Sequence, residues 1–435
     1  MLNRLLSNYG MLLILIALCV FFSLLTLKKQ MPTGDSAVAQ VLQKIGNQFE
    51  KDEIILAAGA VGTDSSLFAQ ALNKSLKDKG FKNSMAVIGT PRDLRLELDR
   101  IKAANKKVSA IVVTGDVTKW LLLTSMAETY PNFSDCRILT PKAVVWSVFL
   151  KSSNLLAIVD RIVVIAIMAI GMTMVIITGG IDLSVGSLTA LSAVIGALVM
   201  KHMGGPQASG WVVLIGFLVG ILCCGAIGCL GGFVIAKFNV APFITTLGVM
   251  MMARGLAFVI TGGFSIYQVP KALPSLGQGA TLGIPNTVIL LVLLYLLAHI
   301  FMSHTPLGRY IYAVGGNREA TRLSGVPVSL VIFFVYIVSS LSAGLGGCIQ
   351  ASQLNTGTPN IGTMYELYVI AAVVVGGTTL SGGKGKMLGT LIGALIISVI
   401  QNGMNLLGIE SYTQQIVLGG VIVGAVLLDK LRSRG

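Results

Sequence analysis

Long apolar runs, each close to the ~20 residues a helix needs to cross a lipid bilayer, dominate the chain. They fall at residues 10–27, 155–178, 183–201, 211–236, 242–262, 286–303, 328–350, 365–380, 387–407 and 412–428, and the run at 365–380 is the shortest. The pattern predicts about ten transmembrane helices with both termini on one side. Residues 31–142 interrupt it. Here the β-branched runs "IILAAGAV" (54–61), "SMAVIG" (84–89), "SAIVVTG" (109–115) and "RILT" (137–140) alternate with polar segments at 64–80 and 91–107. The runs read as buried parallel strands. The polar segments carry apolar residues at helical spacing, with Asp64 as a candidate N-cap, and a third helix is expected over 117–129. Strands alternating with helices imply a small right-handed β-α-β sheet, and roughly 100 residues can bury a modest core of their own. The expected organisation is a first transmembrane helix over 1–30, an inserted α/β domain over 31–142 and a membrane core over 143–435. The fold class is an all-α polytopic membrane protein with an inserted small α/β domain.

Composition supports this division. Hydrophobic residues make up 54% of the chain and charged residues 11%, with a mean hydropathy of +0.83, which is more apolar surface than a soluble domain could cover. Twelve of the eighteen acidic residues lie between Asp35 and Asp135; the others are Asp160, Asp182, Glu319, Glu366, Glu410 and Asp429. The net charge of +14 does not indicate nucleic acid, because basic residues outside the insert are scattered between apolar runs without a stacking platform. They bias the loops instead. With the N-terminus inside, the cytoplasmic segments hold Arg4, Lys237, Arg309, Arg318, Arg322, Lys384, Lys386, Lys430, Arg432 and Arg434, while the short outer loops hold Lys201 and Lys271. That positive-inside bias places both termini in the cytoplasm and residues 31–142 outside it. No small-residue cleavage site follows "LLTLKKQMP", so the first span is expected to be retained. The six cysteines and three histidines show no disulfide framework or metal-ligand spacing.

Five runs in order, "AIGMTMVIITGGIDLSVGSLTAL" (169–191), "PFITTLGVMMMARGLAFVITGG" (242–263), "TPLGRYIYAVGGNREATRLSGV" (305–326), "YELYVIAAVVVGGTTLSGGKG" (365–385) and "GTLIGALIISVIQNGMNLLGI" (389–409), resemble the ribose-type permease subunits of bacterial ABC importers. The resemblance implies a type II importer-like fold and a monosaccharide carried through the inner (plasma) membrane. The implied partners are membrane lipid, a second permease subunit (a second copy or a paralogue), a cytoplasmic ABC ATPase that binds the ATP and Mg, and a periplasmic sugar-binding protein. No cofactor, metal or catalytic residue is expected in this chain. The insert, through "LFAQALNKSLKDKGF", "RIKAANKKVSAIVVTG" and "RILTP", is similar to one lobe of a periplasmic sugar-binding protein. "GAVGTD" (59–64) lacks the second glycine of a dinucleotide fingerprint.

Within 304–329, the glycines at 315 and 316 and then Asn317 predict a turn and a helix start, and 318–324 a short helix ended near Gly325 and Pro327. "EATRLSG" looks like the family's coupling segment, which makes Gly316, Asn317, Glu319, Ala320, Arg322 and Gly325 the candidates for contact with the ATPase. "LSGGK" (380–384) mimics an ATPase signature, but with no Walker A run in the chain it reads as a tight turn between spans. Asp182, Ser184, Arg254, Asn355 and Glu366 are the candidates for a translocation path or gate. Arg254 lies about 12 residues into its span, ~18 Å along a helix, where an arginine is expected to be paired, and Asp182 is one candidate partner. Asp182 is expected near the cytoplasmic side, after a break at Gly179 and Gly180, capping the next helix through the N–H of Ser184 or Val185. Tyr368 stands where the family usually has an acidic residue. Other readings remain: import of another small polar solute such as a branched-chain amino acid, an ion-driven secondary transporter, or a membrane sensor using the outer domain.

Overall fold

A backbone surrounded by hydrocarbon must satisfy its own hydrogen bonds, so uncharged apolar runs of this length become helices. The computed structural model describes residues 2–432; Met1 and residues 433–435, including Arg434 of the orientation count, lie outside the described residues. The chain divides into two compact units, residues 27–148 and the remainder.

The larger unit is helical: α1 (Leu2–Leu25), α5 (Ser152–Ile177), α6 (Val185–His202), α7 (Gly210–Phe238), α8 (Pro242–Thr261), α9 (Asn286–His304), α10 (Pro306–Gly316), α11 (Arg318–Leu323), α12 (Val328–Leu354), α13 (Tyr365–Val375), α14 (Met387–Leu406) and α15 (Ser411–Arg432). Among the described residues, α5, α6, α7, α8, α9, α12 and α14 are long and apolar enough to cross a membrane. The predicted runs at 10–27, 365–380 and 412–428 form shorter apolar helices, Gly10–Leu25, Tyr365–Val375 and Ser411–Leu427. The run at 365–380 is a half-length helix because it ends at Gly376 and Gly377, the latter at φ +89°.

Helix α12 packs against α5, α6 and α7. Small residues allow the approach: a Cβ at Gly225 would lie 2.7 Å from Leu341, and one at Gly228 would meet Ser340. Close approach of this kind replaces the hydrophobic drive that lipid removes. Polar pairs tie α5 to its neighbours. Asn154 and Asn402 exchange hydrogen bonds at 3.1 and 2.9 Å, Thr173 and Thr390 meet at 2.8 Å, and the Tyr295 hydroxyl donates to the Ala166 carbonyl at 2.9 Å.

The smaller unit holds β1 (Leu27–Gln30), α2 (Asp35–Gln48), β2 (Ile54–Ala60), α3 (Asp64–Asp78), β3 (Ser84–Gly89), α4 (Pro91–Ala103), β4 (Val108–Val113), β5 (Arg137–Leu139) and β6 (Val144–Ser147). Four parallel strands run in the order β3-β2-β4-β5. Side chains alternate across the pleat, so one face packs Ile55 and Ala57 with Phe68 and Leu72, and the other packs Leu56 and Ala58 with Leu94 and Leu98. The antiparallel pair β1–β6 ties the chain's entry to its exit. Thr63, rather than Asp64, holds the cap position of α3.

The helix expected over 117–129 is instead a 3-10 turn, Gly115–Lys119, and two single turns, Leu121–Thr124 and Met126–Thr129. Trp120 is extended between them, and the hydroxyls of Thr118, Thr124, Ser125 and Thr129 bond back to carbonyls three or four residues earlier. Such side-chain bonds compete with a continuous helix.

Candidate functional site

Helix α5 ends because Gly179 takes φ +81°, and the chain then turns back on itself before α6 begins. Asp182 lies in that break and is 1% exposed. Its Oδ1 accepts from the Ser184 N–H at 2.9 Å and the Ser184 hydroxyl at 2.6 Å; its Oδ2 accepts from the Ser339 hydroxyl at 2.7 Å. Ser339 is eleven residues into α12, ~16 Å from its first residue at the helical rise. Asp182 is therefore inside the bundle rather than at its end, and α6 starts there. The Thr246 hydroxyl of α8 donates to the neighbouring Ile181 carbonyl at 3.3 Å. Beside the break, the buried Tyr336 hydroxyl points at Gly180 and has no hydrogen-bond partner among the described residues.

A second irregular segment approaches the same level from the opposite end. After α12, residues 355–364 run back along α6: Gly357 lies against Ala193 and Ala197, and Gly362 against the Gly186 carbonyl in the first turn of α6. Gly357 also forms a two-bond bridge with Ile266. Helix α13 begins at the inner end of this segment, with Glu366 in its first turn and the Glu366 Oε2 beside Gly186. The N-terminal ends of α6 and α13 thus meet inside the bundle. Peptide N–H groups at such ends are without intrahelical partners, and a carboxylate is favoured beside them.

Arg254 pins the second segment. Its Nη1 donates to the carbonyls of Pro359 at 3.0 Å and Ile361 at 2.6 Å. The expected Arg254–Asp182 pair is not formed: Asp182 accepts from hydroxyl and backbone donors, and Arg254 donates to carbonyl oxygens of residues 359–361. Asn355 is exposed and left-handed at φ 52°, closing the end of α12 rather than facing the interior.

The 304–329 stretch forms α10 and α11. Glycines 315 and 316 belong to the last turn of α10 instead of a turn between helices. Asn317 caps α11, its Oδ1 accepting from the Ala320 N–H at 2.9 Å. Glu319 and Arg322 form an exposed ion pair at 3.0 Å, and Gly325 at φ +81° ends the segment. Thr321 anchors α11 by donating to the Ala313 carbonyl of α10 at 2.8 Å. "LSGGK" is a tight turn in which the Thr379 N–H donates to the Lys384 carbonyl at 3.1 Å, with Gly382 and Gly383 both at positive φ.

The structure brings Asp182 and Ser184 together with Ser339, and Arg254 and Glu366 together around residues 359–366. Ser339, Gly186 and Gly362 escaped sequence reasoning. Ser339 sits in a row of small residues, "SSLSAGLGG" (339–347), which reads as packing, and only "NTGTPNIG" (355–362) signalled irregular backbone. Among the described residues no group of histidine, cysteine or carboxylate side chains is arranged to hold a metal.

Discontinuous helices whose ends converge inside a membrane bundle are an arrangement that membrane transport proteins use to build an interior site. Residues 154–426 match the family "Branched-chain amino acid transport system / permease component", and the chain belongs to this family of ABC importer permeases. It is 44% identical over 285 residues to the ribose import permease protein RbsC of Escherichia coli (strain K12), covering 65% of this chain and 87% of that protein. It is 42% identical to RbsC of Bacillus subtilis (strain 168) over 287 residues, covering 66% and 87%. To the D-allose transport system permease protein AlsC of Escherichia coli (strain K12) it is 35% identical over 286 residues, covering 66% and 86%. No solved structure matches the chain.

Proposed function

We propose that this chain is the membrane-spanning subunit of an ATP-driven monosaccharide importer, with D-ribose or a close relative as the transported sugar. The similarity to ribose permeases over 87% of their length carries this reading. Ten crossings of the inner membrane put both termini in the cytoplasm and residues 31–142 in the periplasm as an inserted α/β domain. A second permease subunit completes the path, a cytoplasmic ATPase binds ATP and Mg, and a soluble binding protein delivers the sugar.

In this reading the ATPase grips α11 through Asn317, Glu319, Ala320 and Arg322, with Gly316 and Gly325 permitting the bends on either side. The interior junction of the two breaks serves as the gate. Gly186 and Gly362 touch backbone to backbone, Asp182 and Ser184 hold the start of α6, and Arg254 and Glu366 hold the start of α13. Moving either helix start exposes peptide N–H and carbonyl groups that can take over a sugar's hydroxyls as it loses water. One lobe leaves no second wall for a ligand cleft, so the insert acts as a docking module for the binding protein.

The test is reconstitution. The chain should co-purify with an ABC ATPase, and proteoliposomes with that ATPase and the binding protein should show vanadate-sensitive uptake of labelled D-ribose. Full uptake without any ATPase, driven by an ion gradient, sinks the reading. The family description favours one second reading, branched-chain amino acid import, and competition of ribose uptake by leucine separates the two.

A further inference from the structure

At the end of the bundle that carries α11, three chain segments meet with no side chain between them. Gly315, in the last turn of α10, lies so near the Ile177 carbonyl that a Cβ there would collide with it. Gly382, at φ +86°, would place a Cβ 3.0 Å from the Ile177 oxygen and 3.1 Å from both the Gly179 nitrogen and the Gly315 oxygen. Gly383, at φ +75°, would bring one 3.1 Å from the Cα of Gly316, and its N–H donates to the Ile177 carbonyl at 2.8 Å. The Tyr312 hydroxyl of α10 adds a bond to the Gly385 carbonyl at 2.9 Å.

Each segment leads somewhere different. Gly315 is two residues before Asn317, the cap of α11. Ile177 ends α5 and is followed by the break that holds Asp182 and starts α6. The Gly382–Gly383 turn comes after the end of α13. A flexible side chain at this point would absorb displacement by changing rotamer; packed backbone has no such freedom and passes it on.

We propose that the Ile177–Gly315–Gly382–Gly383 junction is the coupling point that passes movement of α11 simultaneously to α6 and α13, the two helices that start at the interior Gly186–Gly362 contact. This rests on the importer reading above. Gly315 and Gly382 are positioning residues, and their role is to keep ATP hydrolysis tied to sugar movement.

The experiment measures ATP hydrolysed per sugar imported by the complete importer in proteoliposomes, with D-ribose, D-allose and D-galactose as probes. Gly315→Ala and Gly382→Ala should assemble with the ATPase and hydrolyse ATP, while the ATP-to-sugar ratio rises about tenfold. Gly420→Ala, with nothing near its Cβ position, should leave the ratio unchanged. Tyr312→Phe, which removes one hydroxyl and keeps the ring, should raise it about threefold, the size of one net hydrogen bond. An unchanged ratio in assembled Gly315→Ala and Gly382→Ala overturns the junction. If those variants do not assemble, an unchanged ratio in Tyr312→Phe overturns it. An unmodified chain that imports no sugar with ATP overturns the importer reading, and this proposal with it.

Discussion

The Ser339 hydroxyl donates to Asp182 Oδ2 at 2.7 Å, joining the break before α6 to the middle of α12 across 157 positions of sequence. Two further donors from Ser184 complete the shell around the same carboxylate. A buried carboxylate persists only when its oxygens are satisfied, so removing a partner costs more than one hydrogen bond's net worth. Ser339→Ala should lower stability by about 2 kcal/mol, and Asp182→Ala by more, because it leaves three donors unmatched. Thermal unfolding of detergent-purified protein, followed by size exclusion, reads both. Equal Tm values for Ser339→Ala and the parent would contradict the network.

Tyr336, one turn from Ser339 on α12, gives the opposite expectation. Its buried hydroxyl has no partner among the described residues, so Tyr336→Phe removes a desolvated donor at little packing cost. The variant should be as stable as the parent or about 1 kcal/mol more stable. A clear loss of Tm would mean the hydroxyl is paired.

Arg254 and Asp182 engage different partners, so their substitutions should be independent. Arg254→Gln should release residues 359–361 and raise the rate at which a cysteine placed at Thr363 reacts with a water-soluble maleimide. In a double-mutant cycle with Asp182→Asn, the interaction energy should stay within about 0.5 kcal/mol. A larger value would restore the direct pairing that the scarcity of acidic residues suggested.

Residues 27–148 should fold alone, since the unit buries both faces of its own sheet and its ends are tied by β1 and β6. Its stability should fall in alkali. Burial, and then the hydrogen bond from the Tyr130 hydroxyl to Asp99 at 2.7 Å, push Tyr130 up from 10.0 to about 12. Burial pushes the Cys136 thiol up from 9.0 to about 11. Both groups hold their protons more tightly when folded. Their contribution is complete below the unfolded pKa values and is lost as pH rises from about 9 to about 12. Urea unfolding across that range should show the decline, and Tyr130→Phe with Cys136→Ala should flatten it.

The surface of α11 proposed for ATPase contact should respond without loss of fold. Asn317→Ala removes the α11 cap and should cost ~1 kcal/mol locally. The exposed Glu319–Arg322 pair contributes little to stability, so Glu319→Gln should leave Tm unchanged and weaken co-purification of the ATPase.

Much of the site was legible because its residues are out of place in hydrocarbon. Asp182, Arg254 and Glu366 stand out by charge, and the Gly179–Gly180 pair marks a break where α5 does stop. The contact of Asp182 with the Ser184 N–H is a matter of local geometry and was legible too, but Ser184, rather than Asp182, holds the cap position of α6. Depth was not legible. A hydropathy window counts residues from one apolar run to the next and takes each as a full crossing, so Asp182 is assigned to an end and 365–380 to a span. Irregular chain that enters the bundle before a helix begins, at 178–184 and 355–364, moves those helix starts inward.

Local chemistry alone therefore settles the long membrane helices, since apolar runs must bond internally, and the start of α11 at Asn317, but not α10 or the broken stretch over 117–129. It also separates the polar insert, because strand and helix periods are written in its alternation. Partnership is a tertiary matter. Arg254 turned to the carbonyls of Pro359 and Ile361, and Asp182 to Ser339, because the small residues of α6, α7 and α12 let backbones approach until those groups were nearest. A charge reports that it needs a partner, but the packing of the helices decides which one it finds.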